Sequence, residues 1–509
     1  MKYRITLLAA LFVFATTTAS AQYSETNNLF YFAQRAPQSN MLNPSFFPGT
    51  LYLQLPSLNS IQLGLPLAIG DIVHYDAEQD VNVIDLNSTL DALDQNSQFR
   101  LGMDINLLGT GLKIAGIFVD ANMQLRTNMG FDLGGGIINT VLKGNVGDNG
   151  EPIPEMTLLD GQLFNLQMYM ETSVGAGMHI PLTGLTVGAH VKLLSGIVNL
   201  NTENTHVSFE TEEDYNSVRA NVYYEIRGAS ALPIDTSMGF SMDYLKSLWT
   251  NRTDLFSTFY DLNNGNNGVA FDLGAKYDLG PLTVSASIND LSTGIHWQSN
   301  LVALVPKGGQ GTIEFDGMDI ANLLDGGSIN VDSVTAYLND QINGMMPQMQ
   351  FDSGDFYYNI PTKLNLAATF NLGILKAGIL FHGQWDRGLL KTPQTISSIN
   401  DFSIDLGDDG IEGLKNTFRS NTTVSVGVNL INWIEVIAGS SFVYDGSSKI
   451  AFDNFLNPGL GIIVSPATLF QFYAMMDYAS SMYFTQMKAF NFKFGFNMVF
   501  GSSTKKRIL

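Results

Sequence analysis

Along most of its length the chain repeats one pattern, short runs in which apolar and polar residues alternate with a period of two. The last run, Phe490 to Phe500, sets Phe490, Phe492, Phe494, Phe496, Met498 and Phe500 against Asn491, Lys493, Gly495, Asn497 and Val499. Successive side chains of a strand point to opposite faces, so this period predicts a β-strand with one oily face. The same two-faced pattern fills 166–180, 185–193 and 218–227. It recurs at 101–107, 119–131, 269–279, 282–289, 364–372, 375–386, 422–430, 434–442 and 470–478.

The placement of charge indicates what the oily faces touch. Within these runs Asp104, Asp120, Arg126, Glu171, Lys192, Arg219, Glu225, Asp272, Lys276, Lys376, Asp386, Glu435, Asp477 and Lys493 all fall on the polar face, and none falls on the apolar one. A soluble surface strand tolerates an occasional lysine among its hydrophobics. A bilayer does not, because a cationic side chain facing its midplane costs about 2–4 kcal/mol.

Connections between runs alternate between very short links, as at Ala115-Gly116, Leu279-Gly280-Pro281 and Leu372-Gly373-Ile374, and long polar segments at 67–98, 132–162, 229–267, 291–360, 387–420 and 445–458. That alternation is expected when one set of turns faces the periplasm and the other the exterior. The predicted fold is an all-β membrane protein, a closed antiparallel transmembrane β-barrel of 14–16 strands with long extracellular loops. The higher count includes the two weakest segments, 50–66 and 205–211. Closure pairs every backbone amide and carbonyl within the membrane, and a barrel this wide has a polar lumen. Segment 291–360 reads as an extracellular cap or an inward-folded loop.

Composition supplies the route of export. Lys2 and Arg4 precede an apolar run from Ile5 to Ala15, and Ala19-Ser20-Ala21 offers a small-residue cleavage site. Residues 1–21 therefore read as a secretory signal peptide. Residues 22–48, which mix aromatics with turn formers, read as an N-terminal plug or a disordered leader; 49–500 form the barrel, and 501–509 a periplasmic tail. Aromatics make up 11% of the chain and charged residues only 14%, against about 25% charged in an average soluble domain. The 26 basic residues, two of them in the leader, face 47 acidic ones, a balance that argues against nucleic acid. There is no cysteine, which excludes disulfides and thiolate chemistry. No apolar run beyond the leader reaches the length of a membrane-spanning helix.

Candidate chemistry is sparse. The chain has no HExxH, GxSxG or phosphate-binding glycine loop. Of the six histidines, His179 and His190 share the polar faces of one predicted hairpin with Glu171, as a hydrolytic or metal cluster would; a salt-bridged inner wall is the simpler reading. Asp401, Asp405, Asp408, Asp409 and Glu412 in "NDFSIDLGDDGIEG" offer carboxylates for a hard cation but miss the EF-hand register. The expectation is a non-enzyme with no metal and no cofactor.

The phrases "NPSFFPGTLYLQLPSLNSI", "MYMETSVGAGMHI" with "LTVGAHVKLLSGIVN", and "GVAFDLGAKYDLGPLTVSASINDLSTGIHW" resemble an uncharacterised family of Gram-negative outer-membrane β-barrels, a domain of unknown function. That family is similar, distantly, to the fatty-acid porin (FadL-like) superfamily, whose members pass hydrophobic molecules and which includes a barrel serving protein secretion as a shuttle. The resemblance implies fold and the Gram-negative outer membrane. One departure is the C-terminus, where barrels commonly finish on an aromatic residue and here Phe500 is followed by "GSSTKKRIL".

Two functions follow as expectations. The first is a porin-like channel or transporter for hydrophobic or amphipathic small molecules, with Arg126, Glu171, Lys192, Arg219, Glu225, Asp272 and Lys276 lining the lumen. The alternative is a membrane-anchored partner or shuttle for a secreted protein or surface complex. Outer-membrane lipid and the barrel-assembly machinery are expected partners in either case.

Overall fold

The computed structural model describes residues 28–65, 98–132, 155–161, 163–211, 217–231, 265–306, 354–385, 387–391, 418–431, 433–443, 456–466, 469–479 and 489–500, with shorter pieces between them. Fourteen of the described strands close a single antiparallel barrel. In chain order they are β1 (Leu51–Gln54 and Ser57–Gly64), β2 (Gln98–Ile114), β3 (Ile117–Asp132), β4 (Phe164–His179), β5 (Leu185–Thr211), β6 (Asn267–Leu279) and β7 (Leu282–Ser292). The ring continues with β8 (Lys363–Asn371), β9 (Leu375–Trp385), β10 (Phe418–Ile431), β11 (Ile434–Val443), β12 (Leu456–Val464), β13 (Phe470–Ala479) and β14 (Ala489–Phe500). Each pairs with its chain neighbours, and β1 pairs with both β2 and β14, which shuts the ring. β1 is interrupted between its two halves, where Pro56 has no amide hydrogen to give the ladder.

The ring is two strands smaller than the higher sequence count, and the discrepancy lies at the weak segment 205–211 and at the run 218–227, whereas the other weak segment, 50–66, is in the ring. Segment 205–211 is no separate strand but the outer end of β5, which is 27 residues long. At about 3.3 Å per residue β5 reaches roughly 90 Å, far beyond the apolar band of a bilayer. Its first part, from Leu185 to Ser195, pairs with β6 in the wall. The run 218–227, expected as a barrel strand, instead pairs with the projecting part of β5, as Ser217–Ser230, and on its other edge with Val302–Pro306 and Gly311–Asp316. Those strands extend the wall as a sheet on the side opposite the short turns.

Burial is inverted relative to a soluble protein. Asn106, Glu171, Lys192, Asn199, Asp272 and Glu435 are buried, while Val174, Val191, Leu273, Val426, Leu460 and Phe494 on the alternate positions are exposed. Along β14, Asn491 and Asn497 point inward and Phe494 and Phe500 outward. An oily exterior around a polar interior fits a wall whose surroundings are hydrocarbon.

The lumen is filled from within by the N-terminal segment. Two short 3-10 turns, Asn28–Phe32 and Pro37–Met41, lie wholly or largely buried. Leu29, Phe30, Phe32 and Phe46 pack on Leu380, Ile437, Ile463 and Tyr473 of the wall. Hydrogen bonds tie the segment to much of the circumference: Asn28 to Asn421 of β10, Tyr31 to Ser285 of β7, Gln38 to Asn497 of β14, and Gln471 of β13 to the Arg35 carbonyl.

Candidate functional site

The wall is shaped to receive this segment. Gly177, Gly188 and Gly274 stand side by side on β4, β5 and β6. A Cβ at Gly188 would collide with the Pro44 carbonyl, one at Gly274 with Asn43, and one at Gly177 with the Phe47 ring. The row is a notch that lets backbone approach backbone. Across the lumen Gly378 makes room for Phe32, and Gly459 for Leu29. The segment is also held by charge. Arg35 Nε lies 3.4 Å from the buried Glu435 carboxylate, which also takes the Lys376 ammonium. Burial pushes the Tyr31 phenol above its usual value, against the opposing effect of its hydrogen bonds, so Tyr31 stays a hydroxyl, accepting from Asn43 Nδ2 at 2.8 Å and lying 3.0 Å from Ser285 Oγ.

Above the segment, away from the short turns, lies a cavity of about 130 Å³. Phe30, Tyr31, Gln38, Met41 and Leu42 line it from the segment, and Met103, Tyr169 and Leu380 from the wall. Four cations, Arg126, Lys192, Lys363 and Lys493, reach it, with Asp104 and Asp290. Lys493 Nζ sits 5.3 Å from the centroid of the Phe30 ring, a cation–π distance. On the far side Ile360 and Pro361 also line the cavity. Ile360 packs with Tyr169, Leu194, Trp297 and Leu301, so both ends of segment 291–360 fold inward over the lumen.

Four of the expected lumen-lining residues converge. Arg126 is 2.9 Å from Glu171, and Lys192 lies 3.4 Å from Glu171 and 2.8 Å from Asp272. The sequence reading missed the residue that joins them. Asp290 takes Lys192 at 2.6 Å, Arg126 at 3.6 Å and Lys363 at 3.4 Å. It sits in a β-bulge, where the β6–β7 register shifts between Phe271 and Leu273, with φ at +54° and its amide bonded to Asp272 at 2.8 Å. A bulge re-aims side chains, and this one turns Asn289 and Asp290 inward together. Two consecutive polar residues at the end of the alternating run 282–289 were the available signal. His190 completes the network between Asp120 at 3.2 Å and Asp272 at 3.3 Å. The result is a buried ionic staple across β3 to β8.

The other candidates stand apart. Lys276 is half-buried opposite Thr186 and Ser285, nearer the short turns. Glu225 accepts from Arg227 at 2.7 Å on the strand outside the ring, and Arg219 belongs to that same strand, its side chain outside the described residues. His179 bonds Thr186 at 3.1 Å near the turn and does not join His190 and Glu171. Of the acidic segment Asn400–Gly413, the five carboxylates lie outside the described residues, as do the leader 1–21 and the tail 501–509.

No curated protein matches the chain in sequence. Among solved structures it is similar to the toluene transporter TbuX of Ralstonia pickettii (9% identity over 91% of this chain and 94% of that one, TM-score 0.44). It is similar also to the toluene transporter TodX of P. putida (11%, 95% and 95%, TM-score 0.38) and to a FadL homologue of Pseudomonas aeruginosa (9%, 92% and 94%, TM-score 0.40). Likeness this distant says nothing about cargo. The sequence profile of a family of unknown function (DUF5723) matches residues 44–477, the greater part of the chain, and the protein belongs to that family.

Proposed function

We propose that the protein is a Gram-negative outer-membrane channel that passes small hydrophobic or amphipathic molecules and is closed by its own N-terminal segment. The single observation that carries this reading is the seated segment 28–47 with a cavity of mixed apolar and ionic lining directly above it. A lumen meant for free diffusion of ions or sugars needs no such occlusion, and an apolar floor beneath charged walls suits a molecule with two chemical ends. The barrel is read as a transporter and not as an enzyme, since the densest charge cluster among the described residues is taken up in mutual pairing. Residues 1–21 direct export, the assembly machinery inserts the barrel, and the long-loop side faces outward.

Lack of native cysteine makes the test clean. Gln38→Cys with Asn497→Cys, positions whose side chains hydrogen-bond at 2.8 Å, would be joined by a short thiol cross-linker in planar bilayers. The reading expects low, intermittent conductance from the wild type and from the untreated double variant, silenced in the variant by the cross-link and restored by cleaving the linker. Large steady conductance indifferent to the cross-link would overturn it.

A further inference from the structure

The end of the barrel that carries the short turns is oily where water would favour polar residues. Turn residues 114–117, 180–184, 279–282, 372–375, 430–434 and 465–469 contain no Asp, Glu, Lys or Arg, in a chain that is 14% charged. Large apolar side chains stand open at the tips instead: Leu182 at 106% relative exposure, Ile374 at 67% and Leu372 at 64%, with Ile114, Leu279 and Trp433 also exposed. Leu182 adopts φ of +68°, a left-handed conformation that turns in water normally assign to Gly or Asn. A branched apolar residue at that position indicates that the surroundings favour oil.

What covers these tips follows from their continuity with the lipid-facing wall. Ile114 is the next outward position after Leu112, Leu372 the next after Phe370, and Leu430 the next after Val426 and Val428 along their strands. The charges nearest the turns, Lys113, Asp278, Lys376 and Glu435, fall on the opposite, inward face by strand alternation. Apolar tips recur in turns spread around the ring from β2 to β11. A docked protein would cover one side, whereas a leaflet surrounds the whole ring.

We infer that the short-turn end does not project into the aqueous compartment but is sunk in the adjoining phospholipid leaflet, its tips among the head groups and upper acyl chains. Trp433 anchors it, as aromatic residues do at membrane interfaces, and the inward ring of charges opens the mouth to water at the same depth.

The experiment places a nitroxide at Leu182→Cys, Ile374→Cys and Asp278→Cys, each made singly, in phospholipid nanodiscs. Collision with dissolved oxygen is compared with collision with a neutral nickel chelate. The inference expects Leu182 and Ile374 to favour oxygen severalfold over nickel and Asp278 to do the reverse. It expects Trp433 fluorescence, isolated by difference against Trp433→Phe, to be quenched more by lipid brominated near the ester than near the chain terminus. Nickel access to Leu182 and Ile374 equal to that at Asp278 overturns it, as does shielding of both tips from both reagents, which would mean a protein cover.

Discussion

Gly188 lies so close beneath Pro44 that a single added carbon would meet the Pro44 carbonyl. That contact fixes the N-terminal segment against the wall at the centre of the glycine row.

Gly188→Leu should therefore expel the segment rather than deform the wall, because the strand pairing on both sides of Gly188 is regular for several residues in each direction. Overpacking of this kind costs about 1–3 kcal/mol. The expected outcome is a folded barrel with raised conductance and an N-terminus open to added protease. A variant that stays closed and protected would show that the notch does not hold the segment.

The segment's ionic contact should behave differently from its steric one. Glu435 is buried between Lys376 and Arg35, whereas Arg35 is about one-third exposed. Arg35→Gln removes a partly screened pair, worth at most about 1 kcal/mol, and should raise open events only slightly. Glu435→Gln leaves two cations facing each other and should raise them much more. Equal effects in bilayer recordings would show that Arg35 alone carries the contact.

Lys192 is the keystone of the buried network. It touches Glu171, Asp272 and Asp290 at once, and removal of one partner from a buried ionic group costs about 3–5 kcal/mol. Lys192→Met should lower the denaturant midpoint of the detergent-solubilised barrel accordingly. Lys192→Met with Asp290→Asn, which removes an opposing charge, should recover part of the loss. If the double variant were no more stable than the single one, Asp290 would not be the carboxylate that Lys192 compensates.

Much of this was legible in the sequence because a strand's period of two maps directly onto two solvents. Lys493 between Phe492 and Phe494 has its meaning from alternation alone. The glycines at 177, 188 and 274 were visible on polar faces too, but their alignment depends on register between strands, which no local pattern encodes. Asp290 was hidden for a related reason: a bulge breaks the period, and the residue it redirects falls outside the run that predicts its face. The weak segment 205–211 misled because β5 keeps its β-character long after it leaves the membrane. The segment from Asn28 to Phe47 carries no periodicity to read; its place depends on contacts with residues distant in sequence, such as Asn421, Glu435 and Asn497, which no local pattern encodes.

The two faces of β14 allow a direct test of which solvent each one meets. Lys493 points inward beside Phe30, and Phe494, the next residue, is 47% exposed on the outer face, paired across the sheet with Ala474 and Leu58. Phe494→Lys places a second cation one position further along the chain, on the outer face and not in the lumen. If the outer face is in lipid, the change should cost about 2–4 kcal/mol near the midplane. The loss would register as a lowered folding free energy in phospholipid vesicles. Lys493→Met should cost far less, because it removes a charge from a polar lumen without placing one in oil. Equal tolerance at the two positions would mean that water reaches both faces of the strand, and the barrel could not then lie in a membrane.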